Sequence, residues 1–480
     1  MGKVTKKEMP MWAKTGHRKP TTRREFLAHG LIPFAARALV PGALGLLTGP
    51  MMARAQGLNC ASETVNNIPF ITVNLAGGAG LSANYMPTDA GGSPLASYSK
   101  MGQGSGANIP QRVSEFGVQS FFANSQFLAG VQRVSTAEAR GRTAFVAVCV
   151  QSRDDSGENA FDASGMAYRA GVIGSILPNL GSRGTPTGLN MKPSTVSPPS
   201  PLVVNSFTTV ANSIGYTAAL RNNLTVQQRE KVANLTSNLS ASQARKLASI
   251  NTAAHVQTLI ECAGIKNAGL VTAGADSINP LADASVGGAI GQLYGINNGT
   301  AVNNENRVFA TMAYNALKGN AGTVNLERGG YDYHNGTRTL GDQRDGQAGE
   351  AVGRILQMAH LMQKPVFIYV TSDGSVVSTD SAQPGSNWIS DRGSAGALYF
   401  LMYHPSGRPL TTGFQIGHFE AGQQAAANTP VGNNPALAAQ AVFANYTKFA
   451  YGNAWESYFL RAVPRGGLEG SALASVIKVA

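Results

Sequence analysis

Residues 350–374, EAVGRILQMAHLMQKPVFIYVTSDG, change their hydrophobic period halfway along. Val352, Ile355, Leu356, Ala359 and Met362 fall on one stripe of a 3.6-residue helix. Lys364-Pro365 ends that pattern, because proline lacks the N–H that a helix interior needs and biases the residue before it towards extended backbone. The run PVFIYVTSDG that follows is apolar on both faces and rich in β-branched and aromatic residues, the pattern of a covered central strand. Residues 321–373 therefore read as strand, loop, helix, strand, and the right-handed crossover rule makes the two strands parallel. The fold class that follows is α/β, with a mainly parallel central sheet flanked by helices.

Three more runs have the same character: FITVNLAGG at 70–78, TAFVAVCVQS at 143–152 and ALYFLMYHP at 397–405. Residues 225–262 differ. TVQQ at 225–228 and SASQ at 240–243 both match the capping box that opens a helix, so a helical insertion is expected over 205–265. MKPSTVSPPSPLVV at 191–204 is too rich in proline for regular structure and reads as an extended surface loop.

The N-terminus bears on the compartment. Thr22-Arg23-Arg24-Glu25-Phe26-Leu27 resembles the twin-arginine export motif, with Arg23, Arg24, Phe26 and Leu27 in its defining positions. A short apolar stretch broken by Pro33 and Pro41 follows, then Ala53-Arg54-Ala55, an A-x-A cleavage pattern. A membrane anchor would need about 20 uninterrupted apolar residues. The expectation is a signal peptide over 1–55, a mature chain over 56–480 in the periplasm or at the cell surface, and no stable membrane anchor after cleavage. The implied partners are the twin-arginine translocase and signal peptidase.

Of the net charge of +12, +8 sits in residues 1–55, where ten Lys/Arg face only Glu8 and Glu25, which leaves +4 for the rest. The high isoelectric point is thus mostly a property of the targeting segment, and no basic stripe interleaved with aromatics points to nucleic acid. Three cysteines, Cys60, Cys149 and Cys262, are too few for a disulfide framework. Cys149 lies inside an apolar run and reads as a buried small hydrophobe; a bridge to Cys60 or Cys262 is left open.

In open α/β sheets, sites form beyond the carboxyl ends of the strands. The residues at such ends are Gly77-Gly78-Ala79-Gly80, Ser152 to Asp155, Asp332 with His334, and Ser372 with Asp373, followed in later loops by Asp391, Arg392 and His418. Asp and His are the ligands that hydrolytic metal sites use. Asp332, His334, Asp373, Asp391 and His418 are accordingly the candidate ligands of a single divalent ion, zinc or calcium; the competing reading is a metal-free structural corner. His255 and His360 sit at helical spacings and read as packed or solvated. Arg153 and Asp154 read as a loop ion pair, Tyr331 and Tyr333 as packing at the strand end, and Trp388 as a groove lining or a loop anchor.

The segments NLAGGAGLSANYMP, SRDDSGENAFDASG, GGYDYHNG, VTSDGS and SDRGSAGALYFL occur in the order of motifs of the exported domain of unknown function 1501, a family related to alkaline phosphatases and sulfatases, which the chain resembles. The resemblance implies an alkaline-phosphatase-like fold and a metal-dependent ester-hydrolase ancestry. Asp332 and His334 match the Asp and His of the family's GGWDTH motif, and Asp391 matches the Asp of TDHG. The aspartate of the first motif falls on Gly80, the histidine of TDHG on Arg392, and the glutamate of T-E-F-G-R on Ser372 or Asp373. A permanently charged guanidinium cannot become a ligand, so the resemblance with these losses implies a decayed metal centre and a binding or structural role, with Arg392 either standing in for the lost cation or a solvated loop residue. The alternative is a metal-dependent phosphate- or sulfate-ester hydrolase. Neither Ser82 nor Ser372 stands out as its nucleophile.

Overall fold

The computed structural model describes residues 68–153, 160–175, 177, 179–190, 195–196, 200–213, 275–332, 338–378, 388–390 and 395–480, with a few positions between 223 and 235. The signal-motif residues Arg23, Arg24, Phe26 and Leu27, the cleavage residues Ala53 and Ala55, and Cys60 and Cys262 lie outside the described residues, as does nearly all of 214–274.

Twelve strands are described: β1 (Phe70–Leu75), β2 (Arg112–Glu115), β3 (Val118–Phe122), β4 (Thr143–Cys149), β5 (Leu180–Gly181), β6 (Leu202–Val203), β7 (Thr323–Arg328), β8 (Val366–Ser372), β9 (Val377–Ser378), β10 (Trp388–Ser390), β11 (Ala397–Tyr403) and β12 (Gln415–Ile416). Eight of them form one sheet in the order β12-β4-β11-β8-β1-β7-β5-β6. β1 is parallel to both β7 and β8, β5 is parallel to β6 and β7, and β12 is parallel to β4. Only β11 runs against its neighbours, β4 and β8. The fold is therefore α/β, with a mixed, mostly parallel eight-stranded sheet and helices packed against it. The expected parallel relation between β7 and β8 holds, but β1 lies between them, because the crossover through the helix skips one strand position.

Of the helices, α1 (Gln126–Val134), α2 (Asp162–Arg169), α3 (Gly287–Tyr294), α4 (Glu305–Leu317), α5 (Arg338–Met362), α6 (Pro435–Tyr451) and α7 (Trp455–Ala462) matter most here. Side chains set their starts. Ser125, Asn304 and Asn434 accept the backbone N–H of Leu128, Arg307 and Leu437 at 3.2, 3.2 and 3.1 Å, each satisfying a donor that the first turn leaves open. Pro435 follows Asn434 at the first helical position, where a missing N–H costs nothing.

Two apolar layers sandwich the sheet. Ile71, Val73 and Leu75 of β1 and Val366, Ile368 and Val370 of β8 point into a core shared with α1, α4 and α5. Phe70, Phe367, Tyr369 and Phe400 point the other way, into a core shared with α2, α6 and α7, where Phe70 and Phe367 stack at 5.2 Å and Tyr446 meets both edge-on. In the first core α5 lies so close to α1 that the Gly346, Gly349 and Gly353 stripe of α5 faces Gly130, Phe127 and Val131. Of the apolar stripe expected at Val352, Ile355, Leu356, Ala359 and Met362, the first four are buried and Met362 packs half-buried against the core, but the helix reaches back to Arg338. Glycines prevent a periodicity argument from seeing that first half, because they carry no hydrophobic signal of their own.

Several local expectations change. The described residues within 191–204 are not a plain surface loop: Val196 and Val204 are buried, and Leu202–Val203 adds a parallel edge strand. The cause is polar anchoring, since Asp162 accepts the backbone N–H of Thr195 at 2.9 Å. Trp388 is a buried anchor under the Arg338 guanidinium, 5.5 Å from the ring centre, rather than a groove wall. The Arg153 guanidinium donates to the Asn433 carbonyl at 3.0 and 3.2 Å; Asp154 lies outside the described residues. The capping box at 225–228 is present, with Thr225 N–H to Gln228 Oε1 at 2.8 Å and Gln228 N–H to Thr225 Oγ1 at 3.2 Å. The second box and His255 lie outside the described residues. His360 is half-buried, with Nδ1 3.1 Å from the Tyr403 hydroxyl.

Candidate functional site

The carboxyl ends of β1, β7 and β8 meet at one corner of the sheet. After β1 the chain turns through Gly77 and Gly78, whose φ angles of +118° and +108° lie where side-chain-bearing residues are disfavoured. After β7 the chain crosses directly over that turn: Tyr331 N–H donates to the Ala76 carbonyl at 3.1 Å, and the Asp332 backbone lies against the Gly77 α-carbon. After β8, Asp373 reaches across, and its Oδ1 accepts the Gly77 N–H at 2.7 Å. Two of the candidate ligands, Asp332 and Asp373, are thus brought to either side of Gly77. Asp332 is exposed, and Tyr331 is fully buried with its hydroxyl donating to the Arg344 carbonyl at 2.9 Å. Burial pushes the Tyr331 phenol above its ordinary pKa, so it stays neutral there.

Ser372 is used up locally. Its hydroxyl donates to the Leu75 carbonyl at 2.7 Å and accepts the Ala79 N–H at 2.8 Å, which ties the end of β8 to the turn after β1. Ser82 is buried in the short helical turn Leu81–Ala83. Neither hydroxyl has a described base beside it, as a nucleophile needs.

A second set of residues, which motif reasoning did not single out, completes the corner. Asn190 donates from Nδ2 to Asp373 Oδ2 at 2.6 Å and accepts from Asn74 Nδ2 at 2.8 Å. Its backbone N–H donates to Glu327 Oε2, while Arg183 Nε donates to Glu327 Oε1 at 2.5 Å. Glu327 is buried and Arg183 largely exposed. The segment 182–190 is therefore strapped across the sheet end by two carboxylates, one from β7 and one just after β8. The sequence carries a signal for this in two strands. β1 reads F-I-T-V-N-L and β7 reads T-V-N-L-E-R, so the face that carries Phe70, Thr72 and Asn74 turns polar towards its carboxyl end, not apolar on both sides.

His334, Asp391 and Arg392 lie outside the described residues. His418 follows β12, three strand positions beyond β8, so about 14 Å of sheet separates its strand from the corner. Its backbone carbonyl accepts the Ala426 N–H at 2.9 Å in a loop that packs on Thr88. Among the described residues no group of three or more His, Cys, Asp or Glu stands close enough to hold a metal ion. Cys149 is buried and free, with the Tyr85 hydroxyl 3.4 Å from its sulfur; burial pushes the thiol up to about 12, which leaves it without nucleophilic or ligand character. Among the described residues no helix is long and apolar enough to cross a membrane. Searches against family models, curated proteins and solved structures find no match for the chain.

Proposed function

We propose that the chain is an exported periplasmic or surface protein with an alkaline-phosphatase- and sulfatase-like fold, whose ancestral metal centre has decayed and which acts by binding or as a structural component. The observation that carries this reading is the occupation of Asp373. Both of its oxygens are engaged by uncharged N–H donors, Gly77 N–H and the Asn190 amide, and Asn190 is itself held by Asn74 and Glu327. A ligand carboxylate in a hydrolytic centre would direct its strongest interaction at a cation; here, among the described residues, neutral donors from two segments, the turn after β1 and the 182–190 strap, do that work. The central sheet flanked by helices agrees with the fold that the motif resemblance implies. Arg392, by the same resemblance, supplies the positive charge that the lost ion once gave.

Metal analysis of the purified folded protein, run with aryl phosphate and aryl sulfate assays, tests the reading. We expect no stoichiometric zinc or calcium and no turnover above background, and added zinc should raise the melting temperature of Arg392→Ala but not of the wild type. A metal ion at one per chain, with hydrolysis lost in Asp332→Ala, would establish the hydrolase reading instead, which the exposed position of Asp332 beside Asp373 favours. Export has a separate test. Changing Arg23 and Arg24 together to Lys should leave full-length precursor in the cytoplasm, whereas the wild type should yield a mature chain starting near Gln56; normal processing of the double variant would refute twin-arginine export.

A further inference from the structure

Below the strap, the faces of β1 and β7 that look towards α2 carry Thr72, Asn74, Thr323 and Asn325, all at most 3% exposed. In register, Thr72 pairs with Asn325 and Phe70 with Thr323. Such a polar layer under a helix is expected to be internally hydrogen-bonded. Much of it is: Asn325 Nδ2 donates to the Thr187 carbonyl at 2.6 Å and to Ser164 Oγ of α2 at 3.2 Å, and Asn74 Nδ2 donates to Asn190. Yet among the described residues Thr72 Oγ1, Asn74 Oδ1, Thr323 Oγ1 and Asn325 Oδ1 have no hydrogen-bond partner.

Reversed amides do not remove the problem. The Thr187 carbonyl can only accept, so Asn325 must present its NH₂ there and its oxygen elsewhere. The Asp373 carboxylate likewise fixes Asn190, and Asn190 Oδ1 then fixes Asn74. Two acceptor-only oxygens, Asn74 Oδ1 and Asn325 Oδ1, and one hydroxyl, Thr72 Oγ1, thus belong to neighbouring residues on the same face of paired strands. Strand neighbours stand about 4.8 Å apart and next-but-one residues about 6.7 Å apart, so one small group seated among the three can touch them all.

The geometry points to a binding site for one hydroxylic guest over β1 and β7, its O–H donors directed at Asn74 Oδ1 and Asn325 Oδ1 and its oxygen accepting from Thr72 Oγ1. The donor and acceptor set matches one water molecule, which has two O–H donors, or two neighbouring hydroxyls of a small polyol, which bring one each. It does not suit an anion, which would meet two carbonyl oxygens head-on. Ser164 and the Thr187 carbonyl hold Asn325 and Asn190 of the strap holds Asn74, so a guest larger than water would have to displace the Arg183 to Asn190 strap. None of the candidate metal ligands lines the site; it touches their corner only through Asn190, which Asp373 orients.

Thr72→Val decides the matter, because it exchanges the hydroxyl for a methyl of the same shape. If the oxygen has no guest, the methyl removes an unsatisfied buried hydroxyl and stability rises or stays level; if a guest is shared with Asn74 and Asn325, stability falls. We expect the melting temperature to fall by roughly 2–4 °C, and an equal or higher value in Thr72→Val would overturn the site. Should that variant not fold, Thr72→Ser against Thr72→Ala differs by one oxygen: Ser more stable than Ala supports the site, and Ala equal or better overturns it. A glycerol titration then separates the sources. A saturable rise in melting temperature seen in the wild type and absent from Thr72→Val assigns the guest to a polyol hydroxyl, and a rise common to both assigns it to solvent.

Discussion

Gly77→Ala is expected to destabilise the fold by about 3–5 kcal/mol, the combined order of a forbidden backbone conformation and an overpacked contact. At φ +118° an L-residue is strained whatever the available space, and here there is none: a Cβ would lie 2.6 Å from the Asp332 Cβ and 2.8 Å from its α-carbon. The Asp332 segment cannot retreat freely, because Tyr331 N–H is bonded to the Ala76 carbonyl and its hydroxyl to the Arg344 carbonyl. Moving Gly77 instead would break its N–H bond to Asp373 and, through Asp373, loosen Asn190. Gly92 is the natural comparison, with φ +78° and nothing within 4 Å of its would-be Cβ, so Gly92→Ala should show the conformational cost alone, about 1–2 kcal/mol. Urea unfolding of the two variants, with slopes checked for equality, measures the difference. Equal losses would mean that the strand ends of β1 and β7 do not cross as described.

The comparison of sequence with structure turns on which residues carry a periodic signal. PVFIYVTSDG and ALYFLMYHP are legible as strands because nearly every side chain is apolar and large, and both become central strands, β8 and β11. That β11 runs antiparallel is not written in its residues; it follows from how the chain returns from the loop after β8, which no local pattern encodes. The first half of α5 is illegible for the opposite reason, since RTLGDQRDGQAG carries three glycines and few apolar residues. At the corner, Asp332 and Asp373 are found by their place at strand ends. Asn74, Asn190, Glu327 and Arg183 are not, because their roles come from partners more than a hundred residues away in the chain for Asn74 and Asn190, and Asn and Arg in a loop have no spacing to betray them. The polar half-face shows as alternation in both strands, in β1 within a run read as apolar on both sides and in β7 within a strand read only from its place ahead of α5. A threonine or asparagine at every second position of a buried strand is a site signal in its own right, because each such group needs a partner that the strand does not supply.

The crossing of α1 and α5 sets two effects of alanine against each other, and the magnitudes decide the sign. Within a helix, alanine is favoured over glycine by about 1 kcal/mol, so a glycine-poor α5 would be the better helix by itself. At Gly349, however, an added Cβ would overlap the Phe127 carbonyl, with the carbonyl carbon 2.8 Å and the Val131 amide nitrogen 3.0 Å away. Both obstacles are backbone of α1, which is held by the Ser125 cap and by Phe127 and Val131 buried in the core, so neither can swing aside as a side chain would. Forcing the helices apart would also open the contacts at Gly130 against Gly346 and at Gly353 against Val131. Overpacking of this kind costs on the order of 1–3 kcal/mol and more where backbone is the obstacle, and it outweighs the propensity gain. Gly349→Ala is expected to lose about 2–3 kcal/mol net. Gly288→Ala in α3, whose Cβ would meet nothing within 4 Å, should gain about 0.5–1 kcal/mol from propensity alone. Chemical denaturation of both variants reads the two signs directly; a gain at Gly349 would show that α1 and α5 are not in backbone contact, and that the glycines of α5 answer to some other requirement than close packing.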